Sequence, residues 1–121
     1  MDHSERFLQL VNAAQASVTE TTHSEVHARR QAGERLLVID VREDHEWQKG
    51  RVVGALHLGK GIIERDIEKK VPDPTTEIIL YCGGGFRSAL AADALQRMGY
   101  TNVKSMAGGW KAWQQAGLPT E

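Results

Sequence analysis

One stretch of the chain concentrates residue types that do chemistry: Tyr81-Cys82-Gly83-Gly84-Gly85-Phe86-Arg87-Ser88. Cys82 is the single cysteine among 121 residues, so it has no partner thiol within the chain. The thiolate is the nucleophilic form of cysteine, and both a helix N-terminus and a nearby cation favour it. A helix beginning near Arg87, with the Arg87 guanidinium itself, is expected to supply both. Three consecutive glycines cost backbone entropy that a simple turn does not require. A loop that curls its N–H groups around one point does require them. The amides of Gly83, Gly84, Gly85, Phe86, Arg87 and Ser88 are therefore expected to form an anion cradle with Cys82 at its base, suited to a thiolate, a persulfide or an oxyanion. Phe86, a large apolar side chain inside this loop, is expected at the pocket mouth, where it favours a low-molecular-weight or partly apolar partner. A lone cysteine after an apolar run is more often an inert core residue. The glycines, the arginine and the helix that follow are what make Cys82 a site.

The elements that must position this loop follow from the apolar pattern. Leu36-Leu37-Val38-Ile39 and Ile78-Ile79-Leu80-Tyr81 are short continuous apolar runs, as expected of strands buried on both faces of a parallel sheet. The first delivers Asp40-Val41-Arg42 and the second Cys82, and chemistry in open α/β sheets gathers outside the carboxyl ends of the strands. A helix is expected from Arg87 to Met98, with Ala91, Ala94, Leu95 and Met98 as its apolar stripe and Gly99 as its stop. Phe7, Leu10, Val11 and Ala14 recur at helical spacing and predict an amphipathic helix over roughly the first 15 residues. Thr22 and Glu25 stand at capping-box spacing, and with Gly33 they frame a second helix of about ten residues. Shorter helices are expected at 44–49, 62–70 and 109–115, and short strands at 55–57 and 103–105. The sum is an α/β fold: a three-layer domain with a central, mainly parallel sheet flanked by helices. Residues 1–17 are expected to form a helical extension packed on or beside a single domain spanning 18–121.

Composition bounds the partners. Fifteen Lys and Arg against sixteen Asp and Glu give a formal charge of −1, which offers no whole-protein field for nucleic acid or an anionic membrane. One cysteine excludes an intramolecular disulfide framework, and no basic leader or bilayer-length apolar segment is present, so a cytoplasmic location is the expectation. The five histidines do not pair at ligand spacing with other donors, so no metal site is expected. Asp40 and Arg42 are candidate supporting residues at a strand tip, where opposite charges two apart more often pin neighbouring loops than catalyse. His57, on a short strand, reads as a hydrogen-bonding support rather than a general base. Lys60 is an additional candidate cation near the pocket mouth. Trp110 and Trp113, at helical spacing, are expected in the core.

Four ordered motifs carry a resemblance to the rhodanese sulfurtransferase family, extending from about Val18 to Trp113. Asp40-Val41-Arg42-Glu43 resembles the family's first signature and Gly54-Ala55-Leu56-His57 its second. Cys82 through Ser88 resembles its active-site loop, and Met106-Ala107-Gly108-Gly109-Trp110 its C-terminal signature. The resemblance implies a rhodanese-like fold and a two-step reaction: Cys82 takes a sulfane sulfur from a donor such as thiosulfate, holds it as a persulfide, and passes it to cyanide or a thiol. It implies small-molecule donors and acceptors, a protein thiol as a further acceptor, no cofactor, and a monomer or homodimer. Four residues separate Cys82 from Arg87, whereas cysteine phosphatases place five there. The shorter loop suits a sulfur atom better than a phosphoryl tetrahedron. A non-catalytic binding or redox-sensing module on the same fold, and less readily a cysteine phosphatase or arsenate reductase, are the competing functions.

Overall fold

A computed structural model describes residues 3–121; the first two residues of the expected N-terminal segment lie outside the described range. The chain runs α1 (Glu5–Gln15), β1 (Thr19–Thr22), α2 (His23–Gln31), β2 (Val38–Asp40), α3 (Asp44–Lys49), β3 (Leu56–His57), α4 (Ile63–Lys70), β4 (Ile78–Tyr81), α5 (Phe86–Arg97), β5 (Val103–Ala107) and α6 (Gly109–Gln115). The five strands form one sheet in the order β1-β5-β4-β2-β3, with every pairing parallel.

β4 is the centre of this sheet, and its sequence explains why. All four of its residues are fully buried, and burying each large apolar side chain contributes about 1.5–3 kcal/mol. Because side chains alternate across a strand, Ile78 and Leu80 enter the core that includes Ile63, Ile67, Ala91 and Leu95 of α4 and α5. Ile79 and Tyr81 enter the opposite core, with Val26 of α2 and Trp113 of α6. The same parity continues past the strand end, so Cys82 follows Leu80 to the α5 face and belongs to that core. From β2 the chain steps outward to β3, and from β4 it steps the other way to β5. The crevice between the carboxyl ends of β2 and β4 is thus a topological switch point, where ligands bind in open α/β sheets.

Three details differ from the sequence expectation. β1 has no apolar run to announce it: Thr19–Thr22 is an edge strand with one buried residue, formed through its pairing with β5. β2 begins at Val38 rather than Leu36 and runs on to Asp40, whose backbone pairs with Tyr81. On α5 the buried face comprises Ser88, Ala89, Ala91, Ala92 and Leu95. Met98, expected on the apolar stripe, is the C-cap residue and is 38 % exposed, and Ala94 is half-buried. α1 packs along α5 and buries Val11 and Ala14, with Ser4 capping its start by accepting from the Phe7 amide at 3.2 Å. No helix among the described residues is long and apolar enough to cross a membrane.

Candidate active site

Cys82 is almost fully buried, and its sulfur occupies the place of a helix cap. α5 starts after Gly85, whose φ of +106° is left-handed and whose missing side chain offers no cap to the first helical amides. The Cys82 Sγ takes that role, accepting from the Gly85 amide at 3.1 Å and the Ser88 amide at 3.4 Å. Negative charge on the sulfur would therefore meet two aligned backbone donors and the positive end of the α5 dipole. Below it, the Cys82 thiol donates to Ser88 Oγ at 3.6 Å. Ser88 Oγ in turn donates to the Gly85 carbonyl at 3.2 Å and lies 2.8 Å from Ser105 Oγ. This buried hydroxyl pair fixes the floor of the loop.

The loop is held from the other side by α6. The Trp110 amide donates to the Cys82 carbonyl at 2.7 Å and the Lys111 amide to the Gly83 carbonyl at 3.1 Å. With both carbonyls turned toward α6, the loop's opposite side is left to face the sulfur. Gly109 makes the approach feasible, since a Cβ there would run into the Cys82 carbonyl, and its φ is +52°. The Met106 to Trp110 signature thus acts by clamping the cysteine loop. Trp113 is fully buried as expected, whereas Trp110 is only half-buried and lines the cysteine cleft.

Arg87 lies across Gly83, where a Cβ would come within 3.1 Å of its guanidinium. It donates to both carboxylate oxygens of Glu46, at 2.7 and 3.1 Å. That pairing holds the Glu46 carboxyl down at about 2 and raises Arg87. Its positive charge is therefore largely matched at the mouth. Glu46 is also the N3 residue of α3, closing a capping box with Glu43. It is a site residue that no local pattern announced, because its partner lies 41 positions away.

The cleft containing Cys82 measures about 920 Å³ and includes Gly83, Gly84, Phe86, Arg87, Glu43, Glu46, Trp110 and Lys111 in its lining. A neighbouring cleft of about 760 Å³ shares Phe7, Glu43, His45 and Arg87 with it, and this second cleft receives Arg42, His57 and Lys60. Asp40 and Arg42 form a buried ion pair at 2.8 Å. Arg42 also donates to the Gly50 carbonyl at 2.6 Å and lies 4.9 Å over the Trp110 ring. This pair ties β2 to the α3–β3 loop and to α6. His57 Nε2 donates to the Arg42 carbonyl at 2.8 Å while its ring stacks on Trp47, with centroids 4.7 Å apart. Both groups brace the walls without lining the Cys82 cleft. Among the described residues, no group of three His, Cys, Asp or Glu side chains is placed to hold a metal ion.

The sequence profile of the Rhodanese-like domain matches residues 22–116. The thiosulfate sulfurtransferase GlpE of Actinobacillus succinogenes is 34% identical over 91 residues, covering 73% of this chain and 78% of that protein. The thiosulfate sulfurtransferase PspE of Escherichia coli K12 is 37% identical over 73 residues, covering 60% of this chain and 69% of that one. Among solved structures, a Rhodopseudomonas palustris protein of unknown function, described as a possible tyrosine phosphatase, superposes with a TM-score of 0.85 at 29% identity. It covers 100% of this chain and 98% of its own. With the switch-point cysteine, the clamped glycine loop and a profile match over most of its length, the chain belongs to the rhodanese-like domain family.

Proposed function

We propose that this protein is a sulfurtransferase that moves a sulfane sulfur from thiosulfate, or another persulfide or polysulfide, to cyanide or a thiol through a persulfide on Cys82. The observation that carries this reading is the Cys82 sulfur, seated at the start of α5 as acceptor of the Gly85 and Ser88 amides. In the first step the thiolate attacks the outer sulfur of thiosulfate. A Cys82 S–S bond forms, the donor's S–S bond breaks, and its electron pair leaves with sulfite. In the second step cyanide or a thiolate attacks the outer sulfur, the Cys82 S–S bond breaks, and the electron pair returns to Sγ. The two amides receive the thiolate charge on Sγ, present before the first step and restored by the second. With one cysteine in the chain, the second step needs an external acceptor, a small thiol, cyanide or a protein thiol. A free cysteine also fits a reducing, cytoplasmic setting.

The names of the GlpE and PspE relatives support this reading, while the Rhodopseudomonas palustris neighbour raises the phosphatase alternative. Two features weigh against phosphoryl transfer here. Only four residues separate Cys82 from Arg87, and the Arg87 guanidinium faces the two oxygens of Glu46, where a phosphatase would need it for phosphate. Intact mass of the reduced protein before and after thiosulfate, then after cyanide, tests the reading, with Cys82→Ser as control. We expect a gain of one sulfur that cyanide removes as thiocyanate, absent in the variant. Absence of any adduct with thiosulfate, polysulfide and an organic persulfide, or turnover of an aryl phosphate instead, would overturn it.

A further inference from the structure

Part of the rim of the Cys82 cleft comes from a segment outside the family match. That match begins at residue 22, whereas α1 spans Glu5–Gln15. α1 is fastened to α5 along its length: Val11 and Ala14 are buried there. At its C-terminal end Ser17 Oγ donates to Asp93 at 3.2 Å, and the Gln96 side chain donates to the Ser17 carbonyl at 3.2 Å. These anchors aim the start of α1 at the start of α5, beside the cysteine loop. There Phe7 and Phe86 meet edge to face with ring centroids 6.3 Å apart, and the His3 ring lies 5.2 Å from each. All three rings line the cleft that contains Cys82, and Phe7 also lines the neighbouring one.

We propose that Phe7 is a specificity-determining residue, forming with Phe86 and His3 an aromatic wall that receives the flat apolar part of an organic thiol acceptor. The proposal rests on the sulfurtransferase reading and adds the class of acceptor. Size supports it: at about 920 Å³ the cleft falls in the range that holds organic ligands rather than a triatomic or tetrahedral inorganic ion. Charge supports it too. Arg87 is matched by Glu46, and the remaining charged side chains of the lining, Glu43 and Lys111, are of opposite sign. A small anion would find little net field there, while the aromatic rings offer apolar area and edge-to-face contacts to a flat group. With that group on the wall, the acceptor's thiolate attacks the outer sulfur of the Cys82 persulfide. A new S–S bond forms on the acceptor, the Cys82 S–S bond breaks, and the electron pair returns to Sγ.

The test uses the full chain loaded with thiosulfate, freed of excess donor, and discharged with phenylmethanethiol or with 2-mercaptoethanol, following loss of the persulfide by intact mass. The quantity read is the ratio of the two second-order rate constants. We expect Phe7→Ala to lower this ratio about tenfold, and Phe7→Leu, which keeps apolar volume for docking α1, to lower it less. Leu10→Ala, at a 59 % exposed position of the same helix, should leave the ratio unchanged. A ratio that Phe7→Ala does not alter, or that Leu10→Ala lowers equally, overturns the wall while leaving sulfur transfer intact. A parent protein that takes up no sulfur from thiosulfate, polysulfide or an organic persulfide overturns the sulfurtransferase reading and the wall with it.

Discussion

The two ends of β4 carry similar ion clusters with different consequences. At the N-terminal end, Glu77 accepts from Arg29 at 2.6 and 2.8 Å and from Lys104 at 2.5 Å, joining α2, β4 and β5. At the C-terminal end, Glu46 accepts from Arg87 at 2.7 and 3.1 Å beside the cysteine loop. Both carboxyls are held at about 2, in each case chiefly by a guanidinium hydrogen bond. A strongly perturbed acid therefore does not mark the site in this protein. What separates the two ends is backbone: beyond Tyr81 the chain turns so that amides meet a sulfur, whereas before Ile78 the charged groups only fasten elements together.

The largest effects should come from groups that hold the C-terminal end in shape. Asp40→Asn leaves the Arg42 guanidinium buried without its counter-charge, and breaking a buried pair in this way costs about 3–5 kcal/mol. Urea unfolding should show that loss, and a variant as stable as the parent would mean Arg42 finds water or another acceptor. Gly109→Ala comes next. The added methyl collides with the Cys82 carbonyl at a left-handed φ, so we expect about 2–3 kcal/mol of destabilisation together with loss of the persulfide adduct. A Gly109→Ala protein that still loads sulfur at the parent's rate would show that the α6 clamp does not set the loop.

How much of this was legible in the residues depends on the range over which each feature is determined. β4 and its reactive tip were visible because a strand buried on both faces must be apolar without interruption, and Ile78–Tyr81 is. The cysteine loop was visible because consecutive glycines before a helix have few other uses. β1 was not, since an edge strand needs no apolar run and Thr19–Thr22 is specified by its partner β5. Gly108-Gly109 stood out as a motif, yet its purpose lies in a contact with a carbonyl 27 positions earlier. Glu46 was hidden for the same reason, its guanidinium partner belonging to another helix. The helical period of Phe7, Leu10, Val11 and Ala14 predicted α1, although Leu10 stays 59 % exposed, and where the N-terminal end points follows from packing on α5.

Acid sharpens the comparison of the two clusters. Each glutamate is depressed from 4.5 to about 2, so the stability it contributes is complete above pH 4.5 and is lost as pH falls toward 2. Glu77→Gln and Glu46→Gln should each remove part of that acid sensitivity, seen as a flatter dependence of the urea midpoint on pH. For such partly exposed pairs the cost at neutral pH is about 1 kcal/mol or less.

The smallest effect on stability should be the most informative about function. Glu46→Gln removes the carboxylate that matches Arg87 and leaves the guanidinium as net positive charge at the mouth of the Cys82 cleft. An anionic donor should then be held better: one unmatched charge at about 4 Å in a partly solvated cleft is worth on the order of 1–2 kcal/mol after screening. The KM for thiosulfate should therefore fall several-fold, and the gain should shrink with added salt. Glu77→Gln, at the far end of β4, should leave KM where it was while showing the same loss of acid sensitivity. Equal KM values in the two variants would mean that Arg87 does not face the donor at all, and that the Glu46 pair, like the Glu77 cluster, serves only to fasten one helix to another.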